Sequence, residues 1–262
     1  MTADPRISTP TRSLGFISPL EVIDTALWEF YRIAPPNVIA AAISVGLRGL
    51  DLRSSTEAID ANLARCIAQL ARRKVEYIHL GGLPLLIHQD ATFSDQFARR
   101  CLDEFGIQAG TAVDSDVAAF RALGVDRIVA VNKWGAAENA LLRDLFETRG
   151  IALRTVSEET AFTNLKGDFA VGMETARRLV ATAMKEHPDA GCLYLAGGAW
   201  LTLPLVEELE EQFGVPIVSS QVAKAWYALH RIGSEPVVAA GRLLSTRPQD
   251  GSPEWRPHAN LC

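Results

Sequence analysis

Short apolar runs alternate along the chain with longer segments whose apolar residues recur three or four positions apart. In residues 56–73, for example, Ile59, Leu63, Ile67 and Leu70 fall on one helical face. We predict strands at residues 14–18, 38–44, 75–80, 108–113, 127–132, 152–156, 192–196 and 217–219. We predict helices at residues 56–73, 116–122, 136–148, 172–186, 204–213 and 221–232. This alternation is typical of an α/β fold with parallel sheets covered by helices.

The two ends of the chain differ from this pattern. Residues 1–12 and 245–262 are polar and rich in proline, and we expect both to be tails. The net charge is −5, and no apolar run approaches the roughly 20 residues that a membrane span needs. We therefore expect a cytoplasmic protein that binds neither membrane nor nucleic acid; a homo-oligomer is compatible with the sequence.

Cysteine and histidine spacing argues against metal chemistry. The four cysteines contain no close pair, and no two of the five histidines are four residues apart. Glycine patterns that bind dinucleotides or ATP, and the serine hydrolase pentapeptide, are also absent from the sequence. We therefore expect neither a metal site nor an organic cofactor.

Two strand ends resemble one another. Residues 77–84 and 193–200 each carry an apolar strand into a Gly-Gly pair, Gly81-Gly82 and Gly197-Gly198, before a helix. Parallel sheets bind ligands at the carboxyl ends of their strands, where glycines let backbone N–H groups approach an anion. The alternative is a tight turn with no binding role. The repetition favours two α/β halves that enclose one small anionic ligand.

Three C-terminal segments, residues 190–204, 213–220 and 225–233, resemble arylmalonate decarboxylases and maleate cis-trans isomerases of the aspartate/glutamate racemase superfamily. The resemblance implies two flavodoxin-like α/β halves with parallel sheets, related by a pseudo-twofold axis, with the ligand cleft between them and no cofactor. We place the first half at residues 13–115 plus 216–244 and the second at 116–215.

The chain departs from this family at its reactive positions. The family's chemistry relies on one or two cysteines after the corresponding strands, and these positions fall at Gly81 or Gly82 and at Ala196. Cys192 comes four residues too early, at the entry end of its strand. A Thr-Ser pair of the anion pocket is replaced by Gly82-Leu83 or Leu83-Pro84, and its tyrosine by Trp134.

Other residues must therefore do the chemistry. Lys133 follows a predicted strand and could act as a desolvated base or hold a carboxylate, whereas His88 could be oriented by Asp90. Both could instead be solvated surface groups, and Lys224 is a further candidate for anion contact. The candidate substrate contacts, all near strand ends, are Ser18, Pro19, Gly81, Gly82, Leu83, Asn132, Trp134, Ala196, Gly197, Gly198, Ser219 and Ser220.

From the resemblance we expect a cofactor-independent lyase or isomerase that acts on a small carboxylate through an enolate-like intermediate. A thiol-based racemase is disfavoured because both thiols are missing. Two alternatives stay open. One is a catalytically inactive carboxylate-binding paralogue, and the other is a branch that uses histidine or lysine for a different reaction.

Overall fold

A computed structural model of the chain describes residues 9–20, 25–47, 56–159, 169–197 and 200–249. The elements that build the first sheet and its cover are β1 (Arg12–Leu20), α1 (Ala26–Ile33), β2 (Val38–Leu47), α2 (Thr56–Arg72), β3 (Tyr77–Leu80), α3 (Leu83–Leu86), α4 (Phe93–Phe105) and β4 (Gln108–Thr111). The remaining elements are α5 (Ala112–Ala122), β5 (Arg127–Asn132), α6 (Ala136–Glu147), β6 (Ala152–Ser157), α7 (Phe169–Glu186), β7 (Cys192–Leu195), α8 (Leu203–Phe213), β8 (Ile217–Ser219) and α9 (Ser220–Arg231), followed by a short 3-10 helix, Leu243–Ser245.

The strands form two parallel four-stranded sheets of identical topology. Their orders are β2-β1-β3-β4 and β6-β5-β7-β8, which is the flavodoxin-like arrangement. The inner strands β3 and β7 are buried along their whole length, as expected for sheets covered on both faces. The predicted α/β fold with two similar halves is confirmed. No helix in the described part of the chain is both long enough and apolar enough to cross a membrane.

Helices α5 and α9 join the two halves. Each begins directly after the last strand of its sheet, and each is buried on almost every side. The two helices pack against one another, and α9 also contacts α1 and β3 of the first half, while α5 contacts β8 of the second. The helix after each sheet therefore contributes to the core of the other half.

A hydroxyl N-cap sets the start of both helices. The Thr111 side chain accepts from the Asp114 amide, and the Asp114 side chain accepts from the Thr111 amide, which completes a capping box. The predicted strand at 108–113 therefore ends at Thr111, and the helix predicted from residue 116 begins at Ala112. Ser219 caps α9 by accepting from the amide of Val222.

Two sequence-based assignments need correction. The boundary at residue 216 placed residues 217–219 with the first half, but β8 pairs with β7 in the second sheet. Helices α1, α3 and α4 are missing from the predicted elements, and α1 shows why. It has one buried face that contains Ala26, Phe30 and Ile33, but the fourth buried side chain is Glu29, and its charge interrupts the apolar pattern.

Candidate active site

A cavity of about 360 Å³ lies where the two halves meet. Its walls come from parts of α1, β2 and α9 and from two strand pairs: the carboxyl end of β1 with the residues after β3 in one sheet, and the residues after β5 with those after β7 in the other. These pairs flank the point where each strand order reverses, which is where doubly wound sheets bind ligands. The apolar walls include Phe16, Ile17, Leu20, Leu27, Ile43, Leu83, Pro84, Trp134 and Trp200. The polar lining groups include Ser18, Ser44, Lys133, Ser220, Gln221 and Lys224.

Both glycine turns line this cavity and are structurally equivalent. The amide of Gly81 donates to the carbonyl of Ile17 at 2.8 Å, and the amide of Ala196 donates to the carbonyl of Val131 at 3.0 Å. Because Ile17 and Val131 hold the same place in β1 and β5, Gly81 corresponds to Ala196. The residues that follow, at 82 and 197, both have left-handed backbones, with φ of 92° and 101°.

The left-handed glycines allow the cavity walls to approach closely. A Cβ atom on Gly82 would lie 2.2 Å from Cγ of Pro19. A Cβ atom on Gly197 would lie 3.3 Å from Cζ2 of Trp134. Pro19 and Trp134 both line the cavity, so the glycines at these turns help to define its shape.

No thiol of the described residues lines the cavity. The resemblance implies that the second family cysteine position falls at Ala196, and the equivalence of the turns makes Gly81, not Gly82, its counterpart in the first half. Cys192 is fully buried at the entry end of β7, and burial raises the pKa of its thiol. Burial likewise raises the pKa of Cys101 to about 12. Chemistry in this cavity therefore has to use groups other than a thiolate.

Two lysines line the cavity, Lys133 and Lys224. Lys133 follows β5, with its Nζ 5.1 Å from the centre of the Trp200 ring, and burial lowers its pKa. Lys224, on α9, is only 8% exposed, with its Nζ 5.4 Å from the centre of the Phe16 ring. Two cations with apolar neighbours can bind carboxylate groups strongly because water screens them little.

Buried acids surround Lys224. Burial raises the pKa of Glu29, while hydrogen bonds from Thr202 and Thr25 and the charge of Lys224 lower it. Burial also raises the pKa of Asp116, which the hydrogen bond from Tyr194 and the charge of Lys224 partly offset. The charge of Lys224 therefore interacts with two buried carboxyl groups, those of Glu29 and Asp116.

A chain of hydrogen-bonded side chains leads from the cavity into the core. Ser220 lines the cavity, and its Oγ accepts from the amide of Gly197 at 3.2 Å. The same Oγ lies 2.7 Å from the hydroxyl of Tyr194, which donates to Oδ2 of Asp116 at 2.5 Å. Asp116 and Tyr194 are fully buried, and Oδ1 of Asp116 has no hydrogen-bond partner within the described residues. Ser220, Tyr194 and Asp116 are called the polar chain below.

The raised pKa of Asp116 predicts how stability changes with pH. Above the unfolded-state pKa of an aspartate, keeping the native proton becomes unfavourable, so this group costs stability as pH rises through its native pKa. Asp116→Asn keeps an acceptor for Tyr194 but cannot ionise. We expect the free energy of unfolding of this variant, measured by urea denaturation between about pH 4 and 8, to rise relative to wild type as pH increases.

Asp103→Asn, an exposed position on α4, is the control for losing a carboxylate. The groups that face Asp116 in this comparison are Tyr194, Lys224 and Asp114. A stability difference between Asp116→Asn and wild type that stays constant over this pH range would contradict a buried titrating carboxyl.

Besides Lys224, nine of the residues proposed from the sequence line the cavity. They are Ser18, Pro19, Gly81, Gly82, Leu83, Lys133, Trp134, Gly197 and Ser220. Gly198 lies outside the described residues. The structure therefore brings together the exits of β1, β3, β5 and β7, as the two glycine turns predicted.

Four proposed residues do not line the cavity, and each has another role or place. His88 lies beyond α3 and is half-buried away from the lining. Asn132 is fully buried; it donates to Asn139 at 2.7 Å and accepts from the Trp134 amide at 2.9 Å, which fixes the loop after β5. The carbonyl of Ala196 accepts from Nε1 of Trp200 at 3.1 Å.

The fourth residue is Ser219. Its hydroxyl caps α9 and lies 2.5 Å from the hydroxyl of Thr202, which also donates to Glu29. Ser219 therefore stabilises the start of α9, whereas the next residue, Ser220, faces the cavity. Sequence spacing alone could not separate these two serines.

Sequence reasoning missed Asp116, Tyr194 and Glu29. Tyr194 reads as a core residue inside an apolar strand, and Asp116 as the polar start of a helix. Their contact joins residues 78 positions apart. No local pattern signals such a contact; only the packing of α5 against the second sheet creates it.

Comparison with known proteins places the chain among decarboxylases and isomerases. The family model described as arylmalonate decarboxylase matches residues 32–244. The arylmalonate decarboxylase of Bordetella bronchiseptica is 26% identical over 189 residues, which cover 71% of this chain and 78% of that protein.

Two solved structures share the fold. The structure of unliganded arylmalonate decarboxylase matches with a TM-score of 0.77 and 22% identity, covering 90% of this chain and 99% of the other. A mutant of the Nocardia farcinica maleate cis-trans isomerase, with a covalently bound succinylcysteine intermediate, matches with a TM-score of 0.67 and 21% identity, covering 89% and 98%. The family model spans well over half of the chain, from residue 32 to residue 244. The chain therefore belongs to the arylmalonate decarboxylase family.

Proposed function

We propose that the protein is a cofactor-independent decarboxylase of small dicarboxylates of the malonate type, in which both carboxyl groups are on one carbon. The observation that carries the proposal is the presence of Lys133 and Lys224 in one cavity with largely apolar walls. The two cations match two carboxylate groups, and the apolar walls leave room for a substituent on the carbon between them.

The reaction requires stabilisation of negative charge more than it requires a nucleophile. When one carboxylate leaves as carbon dioxide, its electron pair passes to the carbon and then into the remaining carboxylate, which becomes enolate-like. Lysine ammonium groups and backbone N–H groups can stabilise that charge. Within the described residues, the N–H groups of Gly82 and Leu83 donate to no backbone carbonyl, and both residues line the cavity, so we assign them as two such donors.

Decarboxylation is favoured over isomerisation by the absence of a thiol at the cavity among the described residues. The intermediate in the Nocardia isomerase structure is a succinylcysteine, a covalent bond to sulfur. Loss of carbon dioxide needs no covalent bond between substrate and enzyme. It needs only a proton donor for the resulting carbanion, and that donor can be a hydroxyl group or an ammonium group.

The test is incubation with malonates that carry alkyl or aryl substituents, alongside maleate and amino acids. We expect release of carbon dioxide from malonates and, in deuterium oxide, one deuterium on the former malonate carbon of the product. Lys133→Met should lower kcat/KM by about 10-fold to 100-fold because a charged hydrogen bond to the substrate is lost.

Lys185→Met, an exposed position on α7, is the control, and it should retain wild-type kcat/KM. Tight binding of malonates without carbon dioxide release or deuterium exchange would instead support the inactive binding paralogue. Turnover of maleate alone would refute the decarboxylase proposal in favour of an isomerase.

A further inference from the structure

We propose that the Ser220 hydroxyl is the proton donor to the carbanion and that the polar chain resupplies it from Asp116 through Tyr194. The inference rests on the proposed function and assigns the residue that replaces the missing thiol. Three observations carry it: the continuity of the polar chain, its isolation from water at the Asp116 end, and its opening into the cavity at Ser220.

The polar chain is continuous at hydrogen-bond distance. The distance from Ser220 Oγ to the Tyr194 hydroxyl is 2.7 Å, and from that hydroxyl to Asp116 Oδ2 it is 2.5 Å. Protons move between groups held at such distances without diffusion of either group. The Tyr194 ring is held by edge-on contacts with Phe120 and Phe146, so its hydroxyl keeps this position.

The direction of proton supply follows from the surroundings of Asp116. Both carboxyl oxygens are buried, and Oδ1 has no partner in the described part of the chain, so the neutral acid is the favoured form. When Asp116 is neutral, the bond that Tyr194 donates to Oδ2 in the structure can reverse, so that Asp116 donates to the Tyr194 oxygen. Tyr194 then donates to Ser220, whose hydroxyl proton is free to point into the cavity.

The proton transfer balances without a further reactant. The carbanion carbon forms a C–H bond with the Ser220 proton, while Ser220 Oγ takes the Tyr194 proton and Tyr194 takes the proton of Asp116. Asp116 becomes a carboxylate, which the nearby cation of Lys224 stabilises. After product leaves, a proton from water in the cavity returns along the same three groups and restores the acid.

The polar chain serves the cavity from one side. Counted from the N-caps Thr111 and Ser219, the residue equivalent to Ser220 in the first half is Ala112, which also lines the cavity but has no hydroxyl. With Ser220 as the donor, the carbanion is therefore protonated from one face. A substrate whose carbon becomes a stereocentre should give a single enantiomer.

The experiment compares Ser220→Ala and Tyr194→Phe with wild type in decarboxylation of a substituted malonate. We expect Ser220→Ala to lower kcat about 100-fold or more, with KM changed less than about threefold, because proton donation is lost while substrate contacts to the lysines remain. Tyr194→Phe keeps the ring contacts and should lower kcat about 10-fold or more. Ser94→Ala, a buried serine whose hydroxyl is bonded to Thr111 at 2.9 Å, is the control and should retain kcat.

A second measurement separates proton supply from a structural role. In mixtures of water and deuterium oxide, wild-type kcat should depend on the deuterium fraction along a curve, since several protons move together. The dependence should become linear in Tyr194→Phe. In wild type, kcat should decline as rising pH ionises Asp116. In Asp116→Asn, kcat should be lower and should no longer decline with pH. The other groups that face this position are Tyr194, Lys224 and Asp114.

The possible failures are distinct. If wild type releases carbon dioxide but Ser220→Ala keeps kcat within threefold, or gives the same product enantiomer at the same rate, the polar chain is not the proton source and the decarboxylase proposal stands. If wild type neither releases carbon dioxide nor exchanges the product's hydrogen, both proposals are refuted.

Discussion

Replacing Lys224 by methionine is expected to lower kcat/KM for a malonate substrate about 100-fold or more. The change keeps the aliphatic part of the side chain, which contacts apolar neighbours, and removes only the cation. A hydrogen bond between charged groups contributes about 1.5–3 kcal/mol, and tenfold in rate corresponds to about 1.4 kcal/mol. The effect should exceed that of Lys133→Met because Lys224 is 8% exposed and faces the buried acids as well as the cavity.

Lys224→Met also changes the field around Glu29 and Asp116, so its fold must be checked by thermal unfolding next to Lys185→Met. Initial rates should then give the lower kcat/KM, and direct binding of a non-reacting dicarboxylate should be weaker than in wild type. A Lys224→Met protein that binds the dicarboxylate and turns over substrate as wild type does would remove this lysine from the proposed site.

Gly82→Ala is expected to destabilise the protein by about 2–4 kcal/mol and to abolish activity. A non-glycine residue in the left-handed region costs about 1–2 kcal/mol. The new Cβ would also lie 2.2 Å from Pro19 Cγ, so the backbone at the end of β1 or after β3 has to shift. Because both segments line the cavity, the shift should deform the site as well as lower the melting temperature.

Two other glycines separate the strain from the contact. Gly150→Ala introduces the same left-handed strain, with φ of 76°, but a Cβ there meets no atom within 4 Å. Gly81→Ala places a Cβ at an ordinary 3.5 Å from the Ile17 carbonyl, without a left-handed backbone. We expect Gly150→Ala to lose stability but keep activity, and Gly81→Ala to keep wild-type stability. Equal stability of Gly82→Ala and Gly81→Ala, measured by thermal unfolding, would contradict the geometry of this turn.

Local sequence patterns were sufficient to predict the two sheets and the meeting of their glycine turns. The periodicity of 2 and of 3.6 residues reports burial on one face, and Gly-Gly after an apolar strand reports a backbone that few other residues adopt. These signals predicted the turns at Gly81-Gly82 and Gly197-Gly198, and the structure brings Gly81, Gly82 and Gly197 to one cavity.

The charged and hydroxyl groups of the site could not be sorted in the same way. Asn132 and Lys133 are neighbours at the end of β5. Asn132 is buried and hydrogen-bonded to Asn139, whereas Lys133 lines the cavity. Ser219 and Ser220 divide likewise between a helix cap and the cavity wall. Which of two neighbouring residues faces the cavity depends on the exact residue at which the strand ends. Periodicity does not predict strand ends to one residue.

The crossing of α5 and α9 has a consequence for how a ligand enters. Each helix begins after the last strand of one sheet and packs into the opposite half. Separation of the two halves would therefore expose two almost entirely buried helices to water. We therefore expect no hinge opening between the two halves. A substrate has to enter and leave through the mouth of the cavity while the two halves stay packed together.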